Sequence, residues 1–171
     1  MKPSSALAIY ASYTVVSEPF EQPPYLKGLR LKLYDQEQLV GEACFYLAPK
    51  GLRGETLLAF LDAIELLAVE LFDVAQDQKR VAKQIEHSPF AYLTDIKLYT
   101  NESQPDLESF LLERGIEILK TMSIPNLYFV MVANTKKEHQ HLHRFYMHHY
   151  FTYLIPQHPD KPAVLHRLIE V

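Results

Sequence analysis

The chain has 171 residues, 48% of them apolar, a formal charge of −4 and a single cysteine, Cys44. That length and apolar content suit one domain, 1–171, with a packed core, and exclude a disordered chain. The basic residues are scattered, which excludes nucleic-acid binding by clustered Lys and Arg, and one cysteine excludes an intramolecular disulfide framework.

In chain order, Met1-Lys2-Pro3-Ser4-Ser5 leads into no apolar run ending in small residues, so a secretory signal is not expected, and a cytoplasmic location is. Leu7 to Val16 is β-prone. Ser17 to Pro24 then reads as a break, because Pro19, Pro23 and Pro24 remove backbone donors. Lys27 to Tyr34 alternates, with Leu29, Leu31 and Leu33 on one face and Arg30 and Lys32 on the other. With the polar turn Asp35 to Gln38 and the strand Leu39 to Leu47 it forms a hairpin. Cys44 in that second strand reads as a small buried hydrophobe. Leu57 to Ala75 reads as one helix, interrupted only by Asp62, Glu65, Glu70 and Asp73, which share one arc of roughly 140°. Four carboxylates exclude a membrane span. Its apolar remainder packs inside the domain or on a second copy, making a homodimer an open reading. Gln76 to His87 continues as an amphipathic helix.

From Phe90 the order is regular: a strand over Ala91 to Tyr99, a helix over Pro105 to Met122, and the uncharged strand Leu127 to Val132, placed in the centre of a sheet. A helix over Thr135 to His149, a strand over Phe151 to Ile155 and a last strand over Ala163 to Ile169 complete the chain. His139, His141, His143, His148 and His149 crowd the second helix and read as a solvated face. His139 and His143 stand one turn apart, but no third ligand or His-Glu-x-x-His motif accompanies them, so no metal is assigned.

This β-α-β-α-β-β order carries two marks. Asn134 opens a helix directly after the apolar strand, and that helix runs through Phe145-Tyr146 to Phe151. From Tyr92 to Val171 the chain therefore resembles the GNAT-type N-acetyltransferases, with 90–171 its better-supported half. The resemblance implies an α/β fold: a mixed, mostly antiparallel sheet with splayed central strands and helices on both faces. It also implies transfer of an acyl group from acetyl-CoA to a small-molecule or peptide amine. Tyr146 falls on the family's general acid for the departing thiolate, and Asn134 on its asparagine. Ile96, Lys97 and Leu98 fall on the backbone that pairs with the pantetheine arm, and Asp95 is the one carboxylate of that strand able to act as base. The bland alternatives are aromatic packing for Tyr146, a helix N-cap for Asn134 and a solvated face for Asp95.

The chain departs from the family where the cofactor's pyrophosphate would lie. The glycine-rich loop is replaced by Ser103-Gln104-Pro105-Asp106-Leu107-Glu108, in which Pro105 removes a donor and two carboxylates repel phosphate. Asp106 or Ser103 can cap the helix instead. Tyr150 stands where the family has glycine, and Glu55 to His87 fills a connection that is usually a short turn. An alternative reading is therefore a non-catalytic GNAT-fold binding or assembly module without acetyl-CoA recognition. A third is an unrelated α/β domain.

Overall fold

A computed structural model describes residues 13–22, 26–100, 106–156 and 161–170. Ser103 to Pro105 of the rewritten loop and the first residues of the Leu7 to Val16 strand lie outside them. The described residues form one seven-stranded sheet in the order β1-β2-β3-β4-β5-β7-β6. Its strands are β1 (Tyr13–Gln22), β2 (Leu26–Asp35), β3 (Gln38–Ala48), β4 (Phe90–Leu98), β5 (Asn126–Met131), β6 (Thr152–Tyr153) and β7 (Ala163–Leu168). All neighbours are antiparallel except β4 and β5. Helices cover both faces: α1 (Gly54–Ile64), α2 (Val69–Asp77) and α3 (Lys79–His87) on one, α4 (Leu107–Thr121) and α5 (Lys136–His148) on the other.

The alternation of the hairpin sets the α4/α5 side. Leu29, Leu31 and Leu33 are buried there with Phe45, Leu93, Phe129 and the α4 residues Leu111, Leu112 and Leu119. The opposite side is aromatic, as the abundance of Tyr and Phe suggests. Phe90 meets Phe60 and Tyr128 edge to face at centroid distances of 6.0 and 5.4 Å. Gly115 of α4 lets that helix close on the sheet, because the rim of the fully buried Phe45 ring occupies the place of its missing side chain.

Two elements differ from the sequence reading. The segment read as a break after Val16 instead continues β1 to Gln22, with Pro19 opposite Leu29. Proline is tolerated there because β1 is the edge strand among the described residues, and an edge strand can lack an N–H on its outer side without breaking the ladder. The single helix over Leu57 to Ala75 is broken. Glu65 is extended (φ −168°, ψ 159°), and a short 3₁₀ turn, Leu66–Ala68, precedes α2. Tyr92 supplies a reason, since its hydroxyl donates to Glu65 Oε1 at 2.7 Å and ties that carboxylate to the sheet. Tyr150, which stands where the family has glycine, adopts the left-handed conformation (φ 63°). Its N–H donates to the Met147 carbonyl, that of Phe151 donates to the Tyr146 carbonyl, and the Arg167 guanidinium lies 5.7 Å from the Tyr150 ring centre. The helix end thus keeps its usual hydrogen bonds without glycine, at a backbone cost of about 1–2 kcal/mol.

Candidate functional site

Two irregularities in the middle of the sheet make the site. The first is a bulge. Between the pairs Phe45↔Leu93 and Ala43↔Ile96, β3 contributes Cys44 alone while β4 contributes Thr94 and Asp95. An extra residue reverses the alternation of everything after it. Ala91 and Leu93 face α4 before the bulge, and Ile96 and Leu98 do so after it. Asp95 and Lys97 are thereby turned outward, where they form an ion pair at 3.7 Å with both side chains more than half exposed.

The second irregularity is a gap. β4 and β5 pair in parallel only from Phe90↔Asn126 to Leu93↔Phe129. Beyond that, Ile96, Lys97 and Leu98 remain on β3 (opposite Ala43, Glu42 and Gly41), while Val130 and Met131 follow β7 (opposite Val164 and Ala163). Among the described residues the ladder between the two central strands therefore stops halfway. The backbone of β4 past Leu93 keeps one edge with no described strand beside it, able to hydrogen-bond an extended ligand.

Tyr146 stands at the foot of this gap. Its ring stacks on Phe129, the last residue of β5 paired with β4, with centroids 4.4 Å apart, and meets Phe145 and Phe151 edge on. Burial, then the negative charges of Glu108 and Asp95, raise its hydroxyl well above the usual tyrosine value. A phenol so placed stays protonated at neutral pH and has a proton to give. Glu65 occupies the other side of the sheet, beside Tyr92. Burial raises its carboxyl above the ordinary value; the Tyr92 hydrogen bond opposes the rise, and the charge of Asp95 adds to it. Asp95 thus acts on both groups, one on each face, as its position at the gap requires.

Asn134 lies past the end of β5 and is exposed. Its backbone N–H donates to Glu138 Oε2 at 2.8 Å. The helix cap is the next residue, Thr135, whose hydroxyl accepts from the Glu138 N–H at 3.1 Å. The N-cap reading of Asn134 is corrected accordingly: the side chain that accepts from the first turn of α5 is a threonine one position later. Asp106 occupies the N-cap position of α4 in a left-handed conformation (φ 87°), and its side chain makes no capping bond. Cys44 is half-buried, and burial raises its thiol.

The histidines separate. His139 and His143 stack at 6.3 Å, and His143 Nδ1 lies 2.7 Å from the Tyr153 hydroxyl. Among the described residues no group of three or more His, Cys, Asp or Glu is gathered for a metal. His149, read from sequence as part of a solvated face, is instead 5% exposed and packs on α4. Glu65 also escaped the sequence reading. Its only signal was a carboxylate inside an apolar stretch, which equally describes any solvated helix face.

A sheet with a single parallel pair at its centre, opened beyond its midpoint over a buried tyrosine, is the GNAT arrangement. The chain adopts the GNAT fold. No protein-family model matches the sequence, and no curated protein matches it either. Solved structures of the GNAT fold do. An apo agmatine N-acetyltransferase superposes with a TM-score of 0.55 at 7% identity, over 80% of this chain and 73% of that one. The Arabidopsis thaliana NAA60 structure with acetyl-CoA gives 0.53 at 10% identity, over 83% and 76%. The AHL synthase LasI gives 0.53 at 10% identity, over 84% and 66%. The chain thus spans slightly less than two thirds of LasI. No helix among the described residues is long and apolar enough to cross a membrane.

Proposed function

We propose that the protein transfers an acyl group from a pantetheine thioester, acetyl-CoA in the simplest case, to an amine. The observation that carries this reading is the opened β4/β5 ladder with Tyr146 at its foot. The acyl-pantetheine arm would extend along the free edge of Ile96 to Leu98, whose backbone amides would polarise the thioester carbonyl. An amine attacking from the Glu65 side would lose its proton to Glu65 or Asp95. The carbon–sulfur bond would break as Tyr146 protonates the departing thiolate. Asn134 would flank the far end of the arm. The agmatine N-acetyltransferase and the acetyl-CoA-bound NAA60 that share the fold support the reaction class, and the half-buried Glu65, its carboxyl raised by burial, supports a base on that side of the sheet.

The entrance at α4 is less favourable to a nucleotide. Asp106 and Glu108 bring negative charge to the helix N-terminus, where the cofactor's pyrophosphate would need positive charge. This favours the second reading, a binding or assembly module that keeps the fold, with the exposed Leu66 and Leu67 as its contact surface.

Calorimetry with acetyl-CoA and with S-acetylpantetheine separates the two. In the enzyme reading both ligands bind, with Kd values near or below about 100 μM, and the nucleotide adds little affinity. Tyr146→Phe keeps that binding and lowers kcat for an amine acceptor by about 10²-fold. No heat from either ligand at millimolar concentration rejects the slot, and unchanged turnover in Tyr146→Phe rejects its acid.

A further inference from the structure

A second constellation lies on α4 and α5, formed by groups that the acyl-transfer reading leaves unused. Ser109 Oγ is 2.8 Å from His149 Nε2, and His149 Nδ1 is 2.6 Å from Glu113 Oε1. Arg167 NH1 donates to the same Glu113 oxygen at 2.8 Å. Helix geometry explains the pairing of the first and last members. Ser109 and Glu113 are one turn apart, so both face the same way and the imidazole bridges them. His149 follows the last turn of α5 and presents its ring there, because its N–H is tied to the carbonyls of Phe145 and Tyr146. We propose that Ser109, His149 and Glu113 form a nucleophilic relay that takes acyl groups from carboxylic esters onto the serine and releases them to water.

The order of the contacts is the order such a relay needs: hydroxyl to one imidazole nitrogen, carboxylate to the other. Glu113 fixes the tautomer by accepting from Nδ1–H, which leaves the Nε2 lone pair for the serine proton. Burial alone would raise the Glu113 carboxyl. The hydrogen bonds from Arg167 and His149 outweigh it and hold the group below its usual value, so it stays ionised. Glu113 and Arg167 are positioning residues; Ser109 and His149 touch the reacting atoms. The imidazole is nearly sealed while Ser109 is half-buried and Glu113 is partly exposed. Ser109 is also the third residue of α4, and the amides of a first turn point out of the helix end, in the direction from which a developing oxyanion would be met.

In the reaction, Ser109 Oγ bonds to the ester carbonyl carbon as its proton passes to His149 Nε2. The tetrahedral oxyanion collapses, the bond to the leaving alkoxide breaks, and that alkoxide takes the proton from Nε2. Water, deprotonated by the same nitrogen, then attacks the O-acyl serine and restores the hydroxyl, releasing the carboxylic acid. None of these steps needs a nucleotide cofactor.

The test treats the whole chain with a fluorophosphonate, maps the adduct by mass spectrometry and measures its rate of formation against pH. The groups facing the imidazole are Ser109, Glu113 and Arg167 at the relay, with Phe145 and His148 against the ring. The expected result is an adduct on Ser109 in the native protein that disappears on unfolding in urea. Its rate falls by about 10²-fold in His149→Gln, and its pH midpoint moves in Glu113→Gln, which a purely structural contact would not produce. Should His149→Gln fail to fold, Ser109→Cys in a Cys44→Ala background serves instead. A thiolate paired with His149 is alkylated well below pH 7, whereas an unactivated thiol follows an ordinary pKa of about 8.5. No adduct at Ser109, or a rate indifferent to His149, overturns the relay. Ser109→Ala should leave the acetyl-CoA titration unchanged, so failure of one reading is visible apart from failure of the other.

Discussion

Gly115→Val should lower the folding free energy by about 3 kcal/mol, read as a reduced urea midpoint at unchanged slope. Gly115 sits inside α4, where glycine by itself costs roughly 1 kcal/mol against alanine. Helix propensity alone therefore favours almost any replacement. Packing reverses the sign. A Cβ at this position would stand 2.7 Å from Cε2 of Phe45 and closer still to Cζ, with Leu31 Cδ1 at 3.3 Å. Phe45 and Leu31 are fully buried at the centre of the sheet, so neither has free volume to move into. Phe45→Leu combined with Gly115→Val should recover at least about 1 kcal/mol relative to the two changes taken separately, because the sites touch. A valine variant as stable as the wild type would show that α4 is not seated on Phe45 in this way.

The second large effect is one of pH. His166 lies on β7 opposite Tyr128, its ring 4.9 Å from the tyrosine ring, with Nε2–H donating to Asn126 Oδ1 at 2.8 Å. Burial, then the charge of Arg80, pushes its pKa down from 6.5 to about 4. Below pH 6.5 the unfolded chain takes up a proton that the folded chain refuses. Stability therefore falls as the pH drops from 6.5 towards 4, and a shift of this size corresponds to about 3 kcal/mol. Glu113, whose folded value is depressed, adds its loss only at more acidic pH, below the ordinary carboxylate value. Raised Glu65 works in the other direction, contributing stability at acid pH that is lost as pH rises through its folded value. Urea unfolding at pH 7, 6, 5 and 4 should show the His166 loss. His166→Gln, which keeps a donor to Asn126 and does not titrate, should flatten the curve in that window. Parallel curves for the two proteins would exclude His166 as the source.

These two positions mark the limits of what the chain reveals on its own. The leucine alternation of β2 requires one buried face, and the uncharged run of β5 requires a central strand; both are local consequences of side-chain period. The Phe-Tyr run of α5 likewise shows an aromatic face, and with Asn134 it led to the GNAT resemblance. Period could not show that β4 carries an extra residue at Thr94–Asp95. A bulge exists only relative to a partner strand, and it decides on which side Asp95 and Lys97 emerge. Nor could it show the helix breaking at Glu65, since the bond that ties this residue to Tyr92 joins segments distant in sequence.

By itself, then, the sequence determined the order of strands and helices in the C-terminal half, the buried faces of the hairpin and the location of an aromatic helix end. Only the tertiary structure decided that β1 runs on through Pro19, that the ladder between β4 and β5 opens after Leu93 and Phe129, and that His149 leaves its helix face to meet Ser109 and Glu113. The physical reason is the same in each case. Hydrophobic period is written into neighbouring residues, whereas strand registers, bulges and hydrogen-bonded side-chain relays are properties of pairs brought together from far apart in the chain.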